Sequence, residues 1–252
     1  MRTRASAVLF VVLATGFAAN AAEVKVLATT AMKSTLDALA PEFAAASPHT
    51  ARLAYGSSGA LATRVSGGEA GDVVILAGGL DDLIRQGRVV GASRADIARV
   101  RIGVGVRKGA AKPDISTPET FKRALLAARS IAFAGPASGG ASGVYLAQMF
   151  ERLGIADEVN AKAKLARGGP DGMVSALVAT GEAEVGLQQI SEILSVDGVD
   201  LVGPLPDALQ TVTVYSAGIL AEAEQPDAAK MLIEFLRTPA AAAVFRAKGL
   251  EP

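Results

Sequence analysis

The chain has 252 residues, half of them hydrophobic and 20% charged, with 25 basic against 25 acidic side chains, one histidine, and no cysteine or tryptophan. Balanced charge removes the electrostatic footprint of a nucleic-acid binder, and the lack of cysteine removes thiol enzymes, disulfide scaffolds and cysteine-bound zinc. A Ser-His-Asp hydrolase or a multi-histidine metal centre would have to rest on His49 alone.

Residues 1–22 open with Arg2 and Arg4, run apolar from Ala5 to Phe17 and end in small residues around Ala21-Ala22. That is the layout of a secretory signal peptide. Its apolar run is shorter than the roughly 20 residues of a membrane span, so cleavage and export to the periplasm are expected, with no stable membrane insertion. The mature chain is then slightly acidic.

From residue 24 onward, short apolar runs alternate with helical patterns. Val24–Ala28 predicts a strand and Met32–Ala46 a helix, with Met32, Leu36, Leu39 and Phe43 on one face. Strand 50–55, helix 60–66, a buried strand over 71–77 and helix 80–86 follow. An extended run at 100–107 precedes helix 118–128, capped by Ser116 or Thr117, and a strand at 130–134. Helix 143–153, helix 173–180, strands at 184–187, 199–202 and 212–219, and helices 226–237 and 240–248 complete the chain. This βα alternation predicts α/β lobes with mainly parallel sheets.

Sharper chemistries fail on spacing. No P-loop is present, and Gly56-Ser57-Ser58-Gly59-Ala60 misses the G-x-S-x-G elbow by one position. His49, between a helix and a strand, is expected on a surface loop, which removes a serine hydrolase. Asp81 and Asp82 are adjacent on a short helix and point apart, so they cap the helix better than they hold a metal.

Four strand-to-helix turns share small or hydroxyl residues: Thr29–Lys33, Gly56–Gly59, Ser138–Gly143 and Gly168–Met173. Each places backbone N–H groups at the positive end of a helix, a setting that favours anions and also suits ordinary caps. In open α/β sheets such turns gather at the carboxyl ends of the strands. Lys33 is a small electrostatic misfit at a helix N-terminus: turned toward the cleft it would pair with an anion, and turned outward it is a solvated surface charge, while Arg64 and Arg167 flank two of the other turns.

These blocks carry a resemblance. Ala31-Met32-Lys33-Ser34-Thr35-Leu36, Tyr55-Gly56-Ser57-Ser58-Gly59-Ala60-Leu61 with downstream Gly71-Asp72-Val73-Val74-Ile75, Ser142-Gly143-Val144-Tyr145 and Pro239-Ala240-Ala241 resemble the periplasmic molybdate-binding protein family of ABC transporters, over residues 24–249. The resemblance implies a two-lobed periplasmic binding protein of type II, with a hinge of crossing strands at 100–107 and 212–219. Lobe 1 would be 23–103 plus 211–252, and lobe 2 would be 104–210. It implies a small anionic ligand, an ABC transporter permease as partner, a monomer, and neither cofactor nor metal.

Carried over by position, the ligand-binding set is Thr30, Ala31, Met32, Lys33, Ser57, Ser58, Gly59, Ala77, Ser142, Gly143, Gly172, Met173 and Gln189. The chain departs from the family at two donors: Ala31 stands where members present a serine, and Gln189 where they present a tyrosine. Lys33 and the amides of Gln188 and Gln189 favour a planar carboxylate over a tetrahedral oxyanion. Some relatives resemble periplasmic aconitate isomerase, which would make Lys33, Tyr145 and Glu192 the candidate catalytic groups. Anion capture for transport is the first reading, isomerisation the second, and a ligand-free adhesion or sensor domain a third.

Overall fold

The computed structural model describes residues 21–138, 141–167 and 173–252. β1 (Glu23–Thr29) passes through a 3-10 turn at Thr30–Met32 into α1 (Lys33–Ala46), followed by β2 (Thr50–Gly56), α2 (Ser58–Ser66), β3 (Val73–Ala77) and α3 (Leu80–Arg85). β4 (Ala95–Arg107) leads to α4 (Pro118–Ala127), β5 (Ile131–Ala134), α5 (Ala141–Leu153), α6 (Ala156–Asn160), β6 (Ala163–Ala166) and α7 (Val174–Ala179). β7 (Val185–Gln189), α8 (Ile190–Ile193), β8 (Val199–Pro204), β9 (Val212–Ile219), α9 (Pro226–Leu236) and α10 (Pro239–Ala247) complete it.

β1 shows why the first strands must be covered on both faces. Val24, Val26 and Ala28 enter a core with Leu36, Leu39 and Phe43 of α1, Leu232 of α9 and Phe245 of α10. Leu27, between them, points the other way, into a cluster with Leu61 and Val65 of α2 and Leu80 and Leu83 of α3. Val73 and Ile75 against Val74 and Leu76 repeat that division in β3. A strand that buries apolar side chains on both faces is the mark of a parallel sheet between two helical layers.

The second half repeats the plan. Ile131 and Phe133 of β5 pack with Phe121, Leu146, Met149 and Phe150, the rings of Phe133 and Phe150 meeting edge-on at 5.2 Å. Ala132 faces a smaller cluster with Val174 and Val178 of α7.

One continuous path joins the halves in the order β2-β1-β3-β9-β4-β7-β5-β6, with β8 also paired to β4. β1 is parallel to β2 and β3, and β5 to β6 and β7. The antiparallel pairs lie at the crossing. Residues 95–101 of β4 pair with β9, and residues 102–107 of the same strand pair with β7 and β8. The molecule is thus a two-lobed α/β protein in which one strand belongs to both lobes.

Close approach at the crossing requires a missing side chain. A Cβ on Gly103 would lie 2.7 Å from the Ile190 side chain, so glycine lets α8 press onto β4.

The structure adds to the sequence-based elements and corrects one expectation. β4 begins at Ala95, five residues before the extended run, and α6, β6 and α8 were not anticipated. α6 and α8 are too short to display a period, and β6 (Ala-Lys-Leu-Ala) is an edge strand without a β-branched residue. His49 is buried rather than on the surface; its Nδ1 accepts the Ala22 N–H at 3.2 Å. It sits where β1 and β2 begin, at the opposite edge of the sheet from the turns of interest.

Candidate functional site

The turns after β1, β2 and β3 lie side by side, because β1 runs between the other two in parallel register. Opposite them are the carboxyl end of β7 and the starts of α7 and α8. Between these faces is a cavity of about 280 Å³, lined by Thr30, Ala31, Lys33, Ser34, Asp37, Met173, Ser191, Glu192, Ser195 and Val196. The first five come from the β1–α1 junction and the others from the second half of the chain. The cavity therefore occupies the cleft between the lobes.

On the first face, the buried Oγ1 of Thr30 has no hydrogen-bond partner among the described residues. A buried hydroxyl without a partner is costly, and a ligand oxygen arriving in the cavity would satisfy it. Lys33, one residue past the turn, pairs with Asp37 and lies 4.9 Å from the centre of the Tyr55 ring. Asp37 also accepts the Tyr55 hydroxyl at 2.7 Å. Burial, and then that bond to Asp37, push the Tyr55 pKa upward. Asp37 thus holds two groups at the cleft edge.

Of the residues lining the second face, Glu192 is the ionisable one. Burial pushes its carboxyl up to about 7, against hydrogen bonds from the Gln188 side chain and the Gln189 backbone N–H that draw it down. Among the described residues no lysine or arginine pairs with it. A carboxyl of that affinity is charged about half the time near neutrality, so it can both take and return a proton.

Two further contacts tie the faces together. Ser191 Oγ donates to the Ala31 carbonyl at 3.3 Å. The buried Tyr215 hydroxyl of β9 donates to Gln189 Oε1 at 2.8 Å, while the Gln189 amide reaches Thr213 Oγ1 at 3.4 Å. Burial, with Glu192 adding to it, raises the Tyr215 pKa, so this phenol stays protonated.

The remaining sequence candidates are placed as follows. Ala31, Met32 and Gln189 are buried at the junction, and Met173 lines the cavity as the N-cap of α7. Ser57 caps α2 by accepting from the Ala60 N–H, and Ser58 Oγ accepts the Ala77 N–H at 2.9 Å. The Ser58 bond ties the turn after β2 to the end of β3 beside Gly59.

Ser142 is buried at the start of α5. A Cβ on Gly143 would lie 2.4 Å from the Ala134 carbonyl, so only glycine lets α5 start there. Tyr145 does not line the cavity; its hydroxyl donates to the Leu209 carbonyl at 2.9 Å, and Arg152 lies over its ring. Gly172 lies outside the described residues. Arg64 is paired with Glu69 and Asp81 with Arg94, on the protein surface.

Ser34, Asp37, Ser191 and Ser195 were not anticipated. Asp37 had a legible signal, one turn after Lys33 on the same helix face. The two serines depend on α8, a helix with no periodic signature.

The sequence pattern of bacterial extracellular solute-binding proteins matches residues 24–251. The chain belongs to that family. This solute-binding protein is 40% identical over 195 residues to an aconitate isomerase from Pseudomonas sp., covering 77% of this chain and 72% of the relative. It is 27% identical over 237 residues to the molybdate-binding protein ModA of Azotobacter vinelandii, covering 92% and 91%. Its fold matches the solved Azotobacter vinelandii periplasmic molybdate-binding protein with a TM-score of 0.74 over 91% of this chain and 99% of that one, at 23% identity. That likeness establishes the two-lobed binding-protein fold. No helix among the described residues is long and apolar enough to cross a membrane, and no group of three or more metal-ligating carboxylate or histidine residues occurs among them.

Proposed function

We propose that this solute-binding protein takes a small organic polycarboxylate into its cleft and shifts a proton between two of its carbons, as an aconitate isomerase would. One observation carries the reading: Glu192, a carboxyl poised near neutral pH, faces a cavity whose other wall offers Lys33 and the unpartnered Thr30 hydroxyl. The 40% identical relative supports it.

In the proposed step, ionised Glu192 removes a proton from the methylene beside a substrate carboxylate. The double bond moves one position, and Glu192 returns a proton to the former vinyl carbon. One C–H bond breaks and one forms, so no oxidant or cofactor is needed. Lys33 and Thr30 hold substrate carboxylates, with the start of α1 adding its positive end. Tyr145, engaged with Leu209, is left out of the step.

Residues 23–103 with 211–252 form one lobe and 104–210 the other, moving about β4 and β9. The protein is a monomer exported to the periplasm after loss of residues 1–22.

A second reading is oxyanion or carboxylate capture for an ABC permease, supported by the molybdate-binding relative aligned along nearly the whole chain. Purified protein is incubated with trans-aconitate and the cis isomer is followed. Turnover abolished by Glu192→Gln supports the isomerase; no turnover, with thermal stabilisation by molybdate or sulfate alone, overturns it in favour of capture.

A further inference from the structure

Gln189 ends β7 and starts α8. A helix of four residues cannot hold itself in place: α8 closes one turn, with the Leu194 N–H on the Ile190 carbonyl at 3.0 Å, so its position must be set from outside. Ser191 and Glu192, which line the cavity, take their places from that position. One anchor is apolar. The Ile190 side chain fits where Gly103 and Gly249 carry none, and a Cβ on either glycine would lie 2.7 or 2.9 Å from it.

The other anchor is polar. Gln189 and Tyr215 of β9 are 5% and 0% exposed. The Tyr215 hydroxyl donates to Gln189 Oε1 at 2.8 Å, and Gln189 Nε2 reaches Thr213 Oγ1 at 3.4 Å. A buried phenol proton needs an acceptor, which turns the amide oxygen toward Tyr215 and leaves the amide nitrogen for a hydroxyl that can accept. Both ends of the amide are thereby engaged by β9. That strand pairs with β3 and with residues 95–101 of β4, whereas β7 pairs with residues 102–106 of β4 and with β5. The bond therefore ties the strand end that launches α8 to the sheet of the other half.

We infer that Gln189 and Tyr215 form a positioning pair for Glu192: the buried bond between them fixes the start of α8 against β9, and so sets where the carboxyl stands in the cavity. The inference rests on the reading that Glu192 serves the ligand. It gives Gln189 a role through its neighbours, with its amide turned to β9 instead of to a bound anion. Loss of the phenol oxygen alone would leave the Gln189 oxygen buried without its donor, a greater disturbance than loss of both groups together.

The test is amide hydrogen exchange followed by NMR on the intact protein without ligand, for wild type, Tyr215→Phe, Gln189→Leu and the double variant. Tyr215→Phe keeps the ring in the core and removes only the donor, so it preserves the fold should Gln189→Leu not. In either single variant the Leu194 amide, which reports the closed turn of α8, should exchange about 2- to 10-fold faster, the scale of one net hydrogen bond, while amides of β1 and β5 keep their rates. In the double variant the acceleration should be smaller than the product of the single effects, because both changes remove one bond. With trans-aconitate as substrate, Tyr215→Phe should lower kcat and leave KM little changed, since the carboxyl and not the ligand is displaced. Unchanged exchange at Leu194 in a folded variant, or exchange raised equally in β1 and β5, would overturn the inference. Lack of turnover by the wild-type protein removes the isomerase reading alone, because exchange reports on α8 with or without catalysis.

Discussion

Ser191 and Ala31 stand 160 positions apart in the chain, yet the serine hydroxyl donates to the alanine carbonyl across the cleft. The bond joins the two faces of the cavity and is available only while they are close. A net hydrogen bond of about 0.5–1.5 kcal/mol corresponds to roughly a 2- to 10-fold change in an equilibrium. Ser191→Ala should therefore speed dissociation of a bound anion by that factor in stopped-flow measurements.

Glu192 ties stability to pH. Its carboxyl loses a proton near 4.5 when unfolded and near 7 when folded. Between those values the folded form holds more protons than the unfolded form, so stability falls as pH rises through this window. At about 1.4 kcal/mol per pH unit, the loss is about 2–3 kcal/mol. Denaturant melts from pH 4.5 to 7.5 should show this decline in wild type. They should show a flatter profile in Glu192→Gln.

Lys33 and Asp37 make opposite predictions for ligand binding. Lys33→Ala should weaken aconitate or citrate binding about 10-fold by calorimetry, the scale of one charge-assisted hydrogen bond. Because the Lys33–Asp37 pair is exposed, the stability of the ligand-free protein should change by less than about 1 kcal/mol. Asp37→Asn frees the lysine from its competitor, and affinity should rise. Equal binding in all three proteins would separate Lys33 from the ligand.

Core packing is tested at Phe133. It is buried between Phe150 and the α4–α5 layer, so Phe133→Ala should cost about 3–5 kcal/mol in chemical denaturation. Gly143→Ala adds one methyl group against the Ala134 carbonyl and should lower the melting temperature as well, since the Ala134–Gly135 backbone leaves it no room.

The parallel cores were legible because their strands are largely apolar and bounded by glycine and hydroxyl turns. Val73–Ala77 carried that pattern without interruption, and Val24–Ala28 carried it except at Lys25. The first cleft wall was legible for a related reason: the misfit of Lys33 at a helix start pointed into the cavity. What the sequence hid was the second wall. Nothing separates Gln189 from Ile190 in the chain, yet the backbone turns there from strand to helix, placing Ser191 and Glu192 at the cleft. Local residue types do not encode that turn; packing of Ile190 onto Gly103 does. His49 was misread because the next residue, Thr50, pairs with Glu23 at the start of β1, a partner 27 positions away that draws the turn against the sheet.

The pairing of β9 with β3 and β4 has a consequence in time. Residues 212–219 close the first sheet, so that sheet is incomplete until most of the chain is available. Residues 102–209, in contrast, supply their own apolar clusters from one unbroken segment. The middle of the chain can therefore organise first, while the opening strands wait for their distant partner. During that interval β3 has an unpaired edge, which is where refolding at high protein concentration would go astray.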